Sequence, residues 1–233
     1  MTDHFQDIYA NKAAQYDAMV AREDYEGNIL KALEGIRTLA GLDVVEFGAG
    51  TGRLTRLLAP HVQSIRAFDN APRMLDVARP TLEATGANNW SLELAENDQL
   101  PVPDSSADLA IEGWSFGHQT GWNPDSWRES IGAALIEMQR VLRPGGTAVL
   151  LETMGTGSES PAPPAPGHAE FYAWLEQEHG FTYQWIRTDY EFASVPEAEE
   201  LTRFFFGDAL ADRIVQEGLL VLPECTGIWW RTY

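Results

Sequence analysis

The sequence predicts an α/β protein built on a mostly parallel sheet with helices on both faces. Three observations carry that expectation. Short apolar runs alternate with helical patterns from about residue 42 to 152, as parallel strands joined by helical crossovers would. The first run ends in a glycine-rich turn that opens directly into a helical pattern. The chain, at 233 residues, is long enough to bury a sizeable core and short enough for one domain.

The elements follow in order. Ahead of the sheet, 8–20 and 28–40 read as two helices. Leu42, Val44, Val45 and Phe47 form a short apolar run, the mark of a strand buried on both faces. Leu54, Leu57 and Leu58 place a helix over 53–61, and 65–68 is a second strand. Pro72 suits the first turn of a helix that aligns Met74, Leu75 and Ala78 on one face. Residues 90–94 and 107–111 read as a third and a fourth strand. Ile131, Leu135, Met138 and Leu142 mark a helix face that Arg143-Pro144-Gly145-Gly146 ends, and 147–151 is a fifth strand. A run rich in Gly, Ser, Pro and Ala over 155–167 reads as a mobile loop. Beyond it, alternation at Ile186, Thr188, Tyr190 and Phe192 predicts one further strand. Ser194-Val195-Pro196-Glu197 is a capping box, opening a helix through Leu201, Phe204 and Phe205. Residues 208–217 read as another helix, and 226–233 as the last strand.

Composition narrows the function. The formal net charge is −19, so the chain repels polyphosphate, and no Lys/Arg cluster offsets this; nucleic acid is not the expected partner. No apolar run approaches the ~18 residues that span a bilayer, so no membrane partner is expected. Residues 1–7 lack the basic and apolar segments of a secretory signal. Cys225 is the single cysteine, which leaves no internal disulfide or cysteine-cluster metal site, and the expected compartment is the cytosol.

The chemistry-bearing segment is Val44-Val45-Glu46-Phe47-Gly48-Ala49-Gly50-Thr51-Gly52. Its glycines permit positive φ and a close backbone approach to a ligand. A dinucleotide fingerprint would place a third glycine at Arg53; the spacing is G-x-G-x-G instead, favouring a ligand without a pyrophosphate. Asp69 is the next acid at a strand end. Its carboxylate is suited to accept both hydroxyl protons of an unphosphorylated ribose, while Asp69 or Asn70 ahead of Pro72 also serves as a helix cap.

With these residues the sequence resembles the class I S-adenosylmethionine-dependent methyltransferases, especially the small-molecule group that includes ubiquinone and menaquinone biosynthesis methyltransferases. The resemblance is carried by Glu46 to Gly52, by Asp69 with Met74-Leu75, by Leu100-Pro101-Val102-Pro103-Asp104-Ser105-Ser106-Ala107-Asp108, and by Arg140-Val141-Leu142-Arg143-Pro144-Gly145-Gly146. It implies a Rossmann-like methyltransferase fold: a seven-stranded, mostly parallel sheet with an antiparallel last strand. The chain then divides into N-terminal helices (1–40), a cofactor-binding core (41–152) and a substrate-side region (153–233) within one domain. The implied cofactor is S-adenosyl-L-methionine and the implied partner a small-molecule acceptor. Gly48, Ala49, Gly50 and Thr51 would hold the methionine part, with Glu46 near its ammonium. Asp69 would bind the ribose; Asn70 or Met74 would flank the adenine; Glu96, where the family usually has Asp, and Asn97 would contact its edge. Gly113 and Trp114 would lie beside the transferring methyl, and Tyr16 would close over the cofactor.

A sulfonium methyl is already electrophilic, so the protein's main task would be to align a nucleophile and exclude water. His118, in the loop after the fourth strand, is the candidate catalytic base, an imidazole titrating near ~6.5. Glu112 is a base, an ammonium contact or a solvated strand end. Trp114 and Phe116 are expected to face an acceptor pocket, Trp229 and Trp230 to be structural, and 155–167 to be a lid or a plain connection. Two other functions compete: an NAD-dependent oxidoreductase, disfavoured by the glycine spacing and by the lack of a Tyr-x-x-x-Lys or His-based pair, and a non-catalytic S-adenosylmethionine-binding protein.

Overall fold

A computed structural model describes residues 4–233. Met1-Thr2-Asp3, the start of the segment read for a signal, lie outside them. Helices α1 (His4–Asn11), α2 (Ala13–Val20) and α3 (Asn28–Ile36) precede the sheet. Then follow β1 (Asp43–Phe47), α4 (Arg53–Leu58), β2 (Ser64–Asp69), α5 (Pro72–Glu83), β3 (Trp90–Leu94) and β4 (Ala107–Gly113). A short helix α6 (Gln119–Trp122) and the long α7 (Trp127–Val141) lead to β5 (Leu142–Thr156). The rest comprises α8 (Pro166–Gln177), β6 (Thr182–Arg187), β7 (Tyr190–Glu191), α9 (Val195–Phe206), α10 (Asp208–Glu217), β8 (Val221–Leu222) and β9 (Glu224–Thr232).

The seven-stranded sheet has the order β3-β2-β1-β4-β5-β9-β6. Strands β1 to β5 pair in parallel, and β9 runs antiparallel to both β5 and β6. The antiparallel strand is therefore last in the chain but lies inside the sheet. Alternation sorts the core: Val45, Phe47, Ala110 and Leu150 pack with α7 and α8, while Val44, Leu109, Ile111 and Val149 pack with α3 and α4. The crossovers leave β1 towards β2 on one side and towards β4 on the other. A crevice therefore opens at the carboxyl ends of β1 and β4, where open α/β sheets bind ligands. A separate cluster of Met19, Tyr190, Phe192, Ala198, Ile214 and Leu222 joins α2, α9, α10 and the β7–β8 pair into a cap.

Several boundaries differ from the sequence expectation. The helix expected over 8–20 is broken at Lys12 (φ −132°, ψ 28°), so α1 and α2 are separate. The 28–40 helix stops at Ile36, because Arg37 is extended and its guanidinium reaches Gly145 O at 2.7 Å. The single strand expected over 186–192 is two: after β6 the chain leaves the main sheet at Thr188, whose N–H donates to Glu224 O at 3.0 Å, and β7 pairs with β8 instead. The 155–167 loop is shorter than expected, since β5 takes its first two residues and α8 its last two. What remains is pinned: Gly157 N–H donates to Pro223 O (2.7 Å), Ala162 N–H to Met154 O (2.6 Å) and Arg213 Nη1 to Gly157 O (2.6 Å). Helix α8 was not anticipated.

The Ser194 cap forms as expected, with the return bond of the box shifted one residue ahead to Ala193. Ser194 Oγ accepts from Glu197 N at 3.3 Å and Glu197 Oε2 accepts from Ala193 N at 2.7 Å. Ser194→Ala should lower the unfolding free energy by about 1 kcal/mol. Urea denaturation of the two proteins measures this, and an unchanged midpoint would assign the start of α9 to packing alone.

Candidate active site

The site grows from the loop between β1 and α4. Gly48, Gly50 and Gly52 all hold positive φ (64°, 54° and 79°), so the backbone folds back on itself over five residues. At Gly48 the space is as restrictive as the torsion: a Cβ there would sit 2.2 Å from Ser115 Oγ. Ala49 N–H donates to Phe68 O at 2.8 Å, tying the loop to the end of β2.

Asp69 closes β2 and is largely buried. Its Oδ2 accepts from Gly50 N and its Oδ1 from Ala71 N, both at 2.7 Å. Burial raises the carboxyl's pKa, and the two backbone donors pull it back. The α5 cap position falls on Ala71, so neither Asp69 nor Asn70 is the cap; Asp69 joins the glycine loop to the start of α5. Asn70 Nδ2 donates to Glu96 Oε2 at 2.9 Å. Asn97 Nδ2 reaches Ser115 Oγ at 3.4 Å, and the Met74 methyl lies against Gly50.

Glu46 is buried near the carboxyl end of β1, where it accepts from Thr55 Oγ1 at 2.5 Å. Burial, reinforced by Asp69, pushes it from an ordinary 4.5 up to about 8. Glu112, on β4, is fully buried rather than a solvated strand end; it accepts from Ser115 N at 3.1 Å and pairs with Glu152 of β5. Desolvation raises both carboxyls of that pair; the neighbouring Glu152 raises Glu112 further, while the Gly117 N–H and the bond with Glu112 hold Glu152 back. These groups set a pH dependence. Their folded pKa values lie above the unfolded ones, so the native state keeps protons that the unfolded chain has lost. Stability of the ligand-free protein should therefore fall as pH rises from about 4.5 to about 8. Urea midpoints across that range test this, and a midpoint that rises with pH would contradict it.

Trp114 follows β4 with φ 56°, a left-handed conformation rare for a bulky residue. Its ring lies under the Arg53 guanidinium, 3.6 Å from carbon to centroid. The reversal at Trp114 sends Phe116 into the core, 2% exposed, so Phe116 does not face the pocket as expected. Trp229 is buried in the core, and Trp230 is half-buried on the opposite face of the sheet. His118 stacks on Trp122 (4.8 Å, 10° between planes), and its Nε2 shares a hydrogen bond of 2.7 Å with Tyr9 Oη.

These residues surround one cavity of about 430 Å³. Gly48, Gly50, Asp69, Asn70, Met74 and Asn97 line one part of it; Tyr16, Gly113, Trp114 and His118 line another. Glu46, Ala49 and Thr51 line a small recess that shares Tyr16, Gly48, Gly50, Gly113 and Trp114 with it. Glu96 stands behind Asn70, outside the cavity wall. A second cavity of about 260 Å³ adjoins the first and shares Tyr9, Tyr16, Trp114 and His118 with it. Its walls include Glu23, Arg53, Glu152, Tyr190 and Glu224, none singled out from sequence as site residues. Arg53 alone had a local signal, its place directly after Gly52. Among the described residues no group of three or more His, Cys, Asp or Glu is placed to hold a metal ion, and no helix is long and apolar enough to cross a membrane.

Residues 44–146 match a methyltransferase-domain family. Over those residues the chain resembles the class I S-adenosylmethionine-dependent methyltransferases. That family's cofactor is S-adenosylmethionine. The chain is 30% identical over 150 residues to a malonyl-[acyl-carrier protein] O-methyltransferase of Serratia marcescens, covering 64% of this chain and 52% of that one. It is 35% identical over 161 residues to a ubiquinone/menaquinone biosynthesis C-methyltransferase of Hahella chejuensis, covering 64% and 59%. The chain thus spans only a little over half the length of these curated relatives. A S-adenosylmethionine-dependent methyltransferase of Aquifex aeolicus shares the fold, with a TM-score of 0.60 at 16% identity over 99% of this chain and 98% of that one.

Proposed function

We propose that the methyltransferase moves a methyl group from S-adenosylmethionine to a small-molecule acceptor by in-line displacement. One observation carries this reading: the glycine loop, Asp69 and the buried Glu46 border one connected space that continues into a second cavity at Trp114 and His118.

The polar atoms left over in the recess support the fit to a zwitterionic amino acid tail. Thr51 Oγ1 and Arg53 Nη2 are buried without a partner. Glu46 would face the ammonium and Arg53 Nη2 the carboxylate, while the glycine loop admits the chain between them. Asp69 would receive the ribose hydroxyls, and Asn70, Met74 and Asn97 would border the adenine. Glu96 would act at one remove, by fixing the Asn70 amide. Gly113 and Trp114 would flank the sulfur, and Tyr16 would cover it from α2. The bound cofactor supplies an electrophilic methyl; the protein aligns the acceptor with it and keeps water out.

His118 would take the proton that the acceptor sheds. It lines both cavities, and Tyr9 and Trp122 fix its ring. His118→Ala should lower turnover about a hundredfold with S-adenosylmethionine affinity nearly unchanged. Full activity in that variant would remove His118 from the mechanism. The reading as a whole is tested by release of S-adenosylhomocysteine in a screen of small-molecule acceptors. Tight cofactor binding with no release from any acceptor would identify a non-catalytic binding protein instead.

A further inference from the structure

The second cavity has a chemistry of its own. Glu23 Oε2 is fully engaged, receiving Tyr190 Oη at 2.6 Å and Arg53 Nη1 at 2.9 Å, but its Oε1 is buried with no partner. Glu224 repeats the pattern: Thr153 Oγ1 donates to its Oε1 at 2.9 Å, while Oε2 is buried and unpartnered in a residue 2% exposed. His168 Nδ1 is a third buried atom without a partner on the same wall. Orphaned buried polar atoms are costly; with Arg53 Nη2 assigned above to the cofactor's carboxylate, the other three on this small cavity indicate what a second ligand must bring.

We propose that this cavity is the acceptor site and that its acceptor is an amine, bound through N–H donors to Glu23 Oε1 and Glu224 Oε2. The inference rests on the methyl-transfer reading above. Arg53 and Glu23 neutralise each other, while Glu224 and Glu152 on the same wall have no cationic partner and hold their protons until a counter-charge arrives. A carboxylate acceptor brings these oxygens neither a donor nor a positive charge, and a lone hydroxyl has one donor for two carboxyl oxygens. An ammonium has three donors and a charge of the required sign. The rest of the wall suits its organic part: Tyr16, Trp114, Phe205 and Phe206 present aromatic surface, which also attracts a cation. Burial raises Glu224 well above an ordinary carboxyl, as expected of an acid whose counter-charge arrives with a ligand.

The chemistry balances without any further reagent. The bound ammonium first gives one proton to the His118 imidazole, and the lone pair this frees forms the new N–C bond as the methyl C–S bond breaks, that bonding pair returning to sulfur and discharging the sulfonium. The methylated nitrogen leaves as an ammonium, and His118 passes its proton to solvent.

The test is calorimetric titration of the full chain saturated with S-adenosylhomocysteine, using 2-phenylethylamine and tryptamine against their alcohol and carboxylic acid counterparts. The amines should bind at least tenfold more tightly than either counterpart. Glu224→Gln should remove that preference while S-adenosylhomocysteine affinity, measured on the same sample, stays within twofold and so reports an intact fold. Glu23→Gln should also remove the preference; because Glu23 holds Arg53, the fold of that variant is read from its urea midpoint and not from S-adenosylhomocysteine affinity. Amines that bind no better than their counterparts, or an amine preference that survives both variants, would overturn the inference. Failure of S-adenosylhomocysteine itself to bind would instead sink the cofactor reading on which it rests.

Discussion

Gly48→Ala should weaken S-adenosylmethionine binding by about a hundredfold or more, the scale expected when reacting groups are misplaced by ~1 Å. Two costs coincide at this position. The φ of 64° is left-handed, which penalises any residue with a Cβ by about 1–2 kcal/mol. The added Cβ would also stand 2.2 Å from Ser115 Oγ and 2.6 Å from Ser115 Cβ. The second contact is to the root of the side chain, so a rotamer change does not relieve it. The strand-end segment bearing Trp114 and Ser115 must shift, and with it the wall between the two cavities. Calorimetry gives the affinity and urea denaturation the accompanying loss of stability. A variant that binds the cofactor as tightly as the parent would show that this close approach does not shape the site.

Asp69→Ala should be comparably severe. Its carboxylate holds Gly50 N and Ala71 N, and charge-assisted bonds of this kind contribute about 1.5–3 kcal/mol each. The substitution would leave both donors unanswered, loosen the glycine loop from the start of α5 and remove the ribose anchor. Affinity should fall by about a hundredfold to a thousandfold, with an appreciable drop in the urea midpoint. Asp69→Asn should fall between, because an amide offers one acceptor oxygen to two backbone donors. Retention of full affinity by Asp69→Ala would place the ribose elsewhere.

The parallel core was legible because its strands are buried on both faces and read as uninterrupted apolar runs closed by turn residues. Residues 44–47 and 109–112 are buried strands of that kind. The errors have physical causes. Alternation continued past Arg187, yet the chain changes sheets at Thr188, because a hydrogen bond to Glu224 decides its path and no local pattern reports that partner. Helix α8 carries Phe171, Trp174 and Leu175 at helical spacing, but the proline-rich run ahead of it masked its start at Pro166. Phe116 and Trp114 are two residues apart, and only the left-handed turn at Trp114 separates their directions.

The site divides in the same way. Glu46, the glycine loop and Asp69 lie at strand ends that the pattern locates, so their convergence was expected. Glu23 and Glu224 are distant in sequence, and Glu23 meets Tyr190 and Arg53 only because the cap of α2, α9 and α10 folds back over the sheet. No motif carries such a meeting. The cofactor half of the pocket is thus written locally, and the acceptor half is a product of tertiary structure.

The most direct test of the central claim is calorimetric titration of the full chain with S-adenosylmethionine and, separately, with NADH. The account predicts saturable binding of one S-adenosylmethionine per chain, weakened at least about a hundredfold in Asp69→Ala, and no measurable heat with NADH. Binding of NADH, or an absence of binding by S-adenosylmethionine, would contradict it.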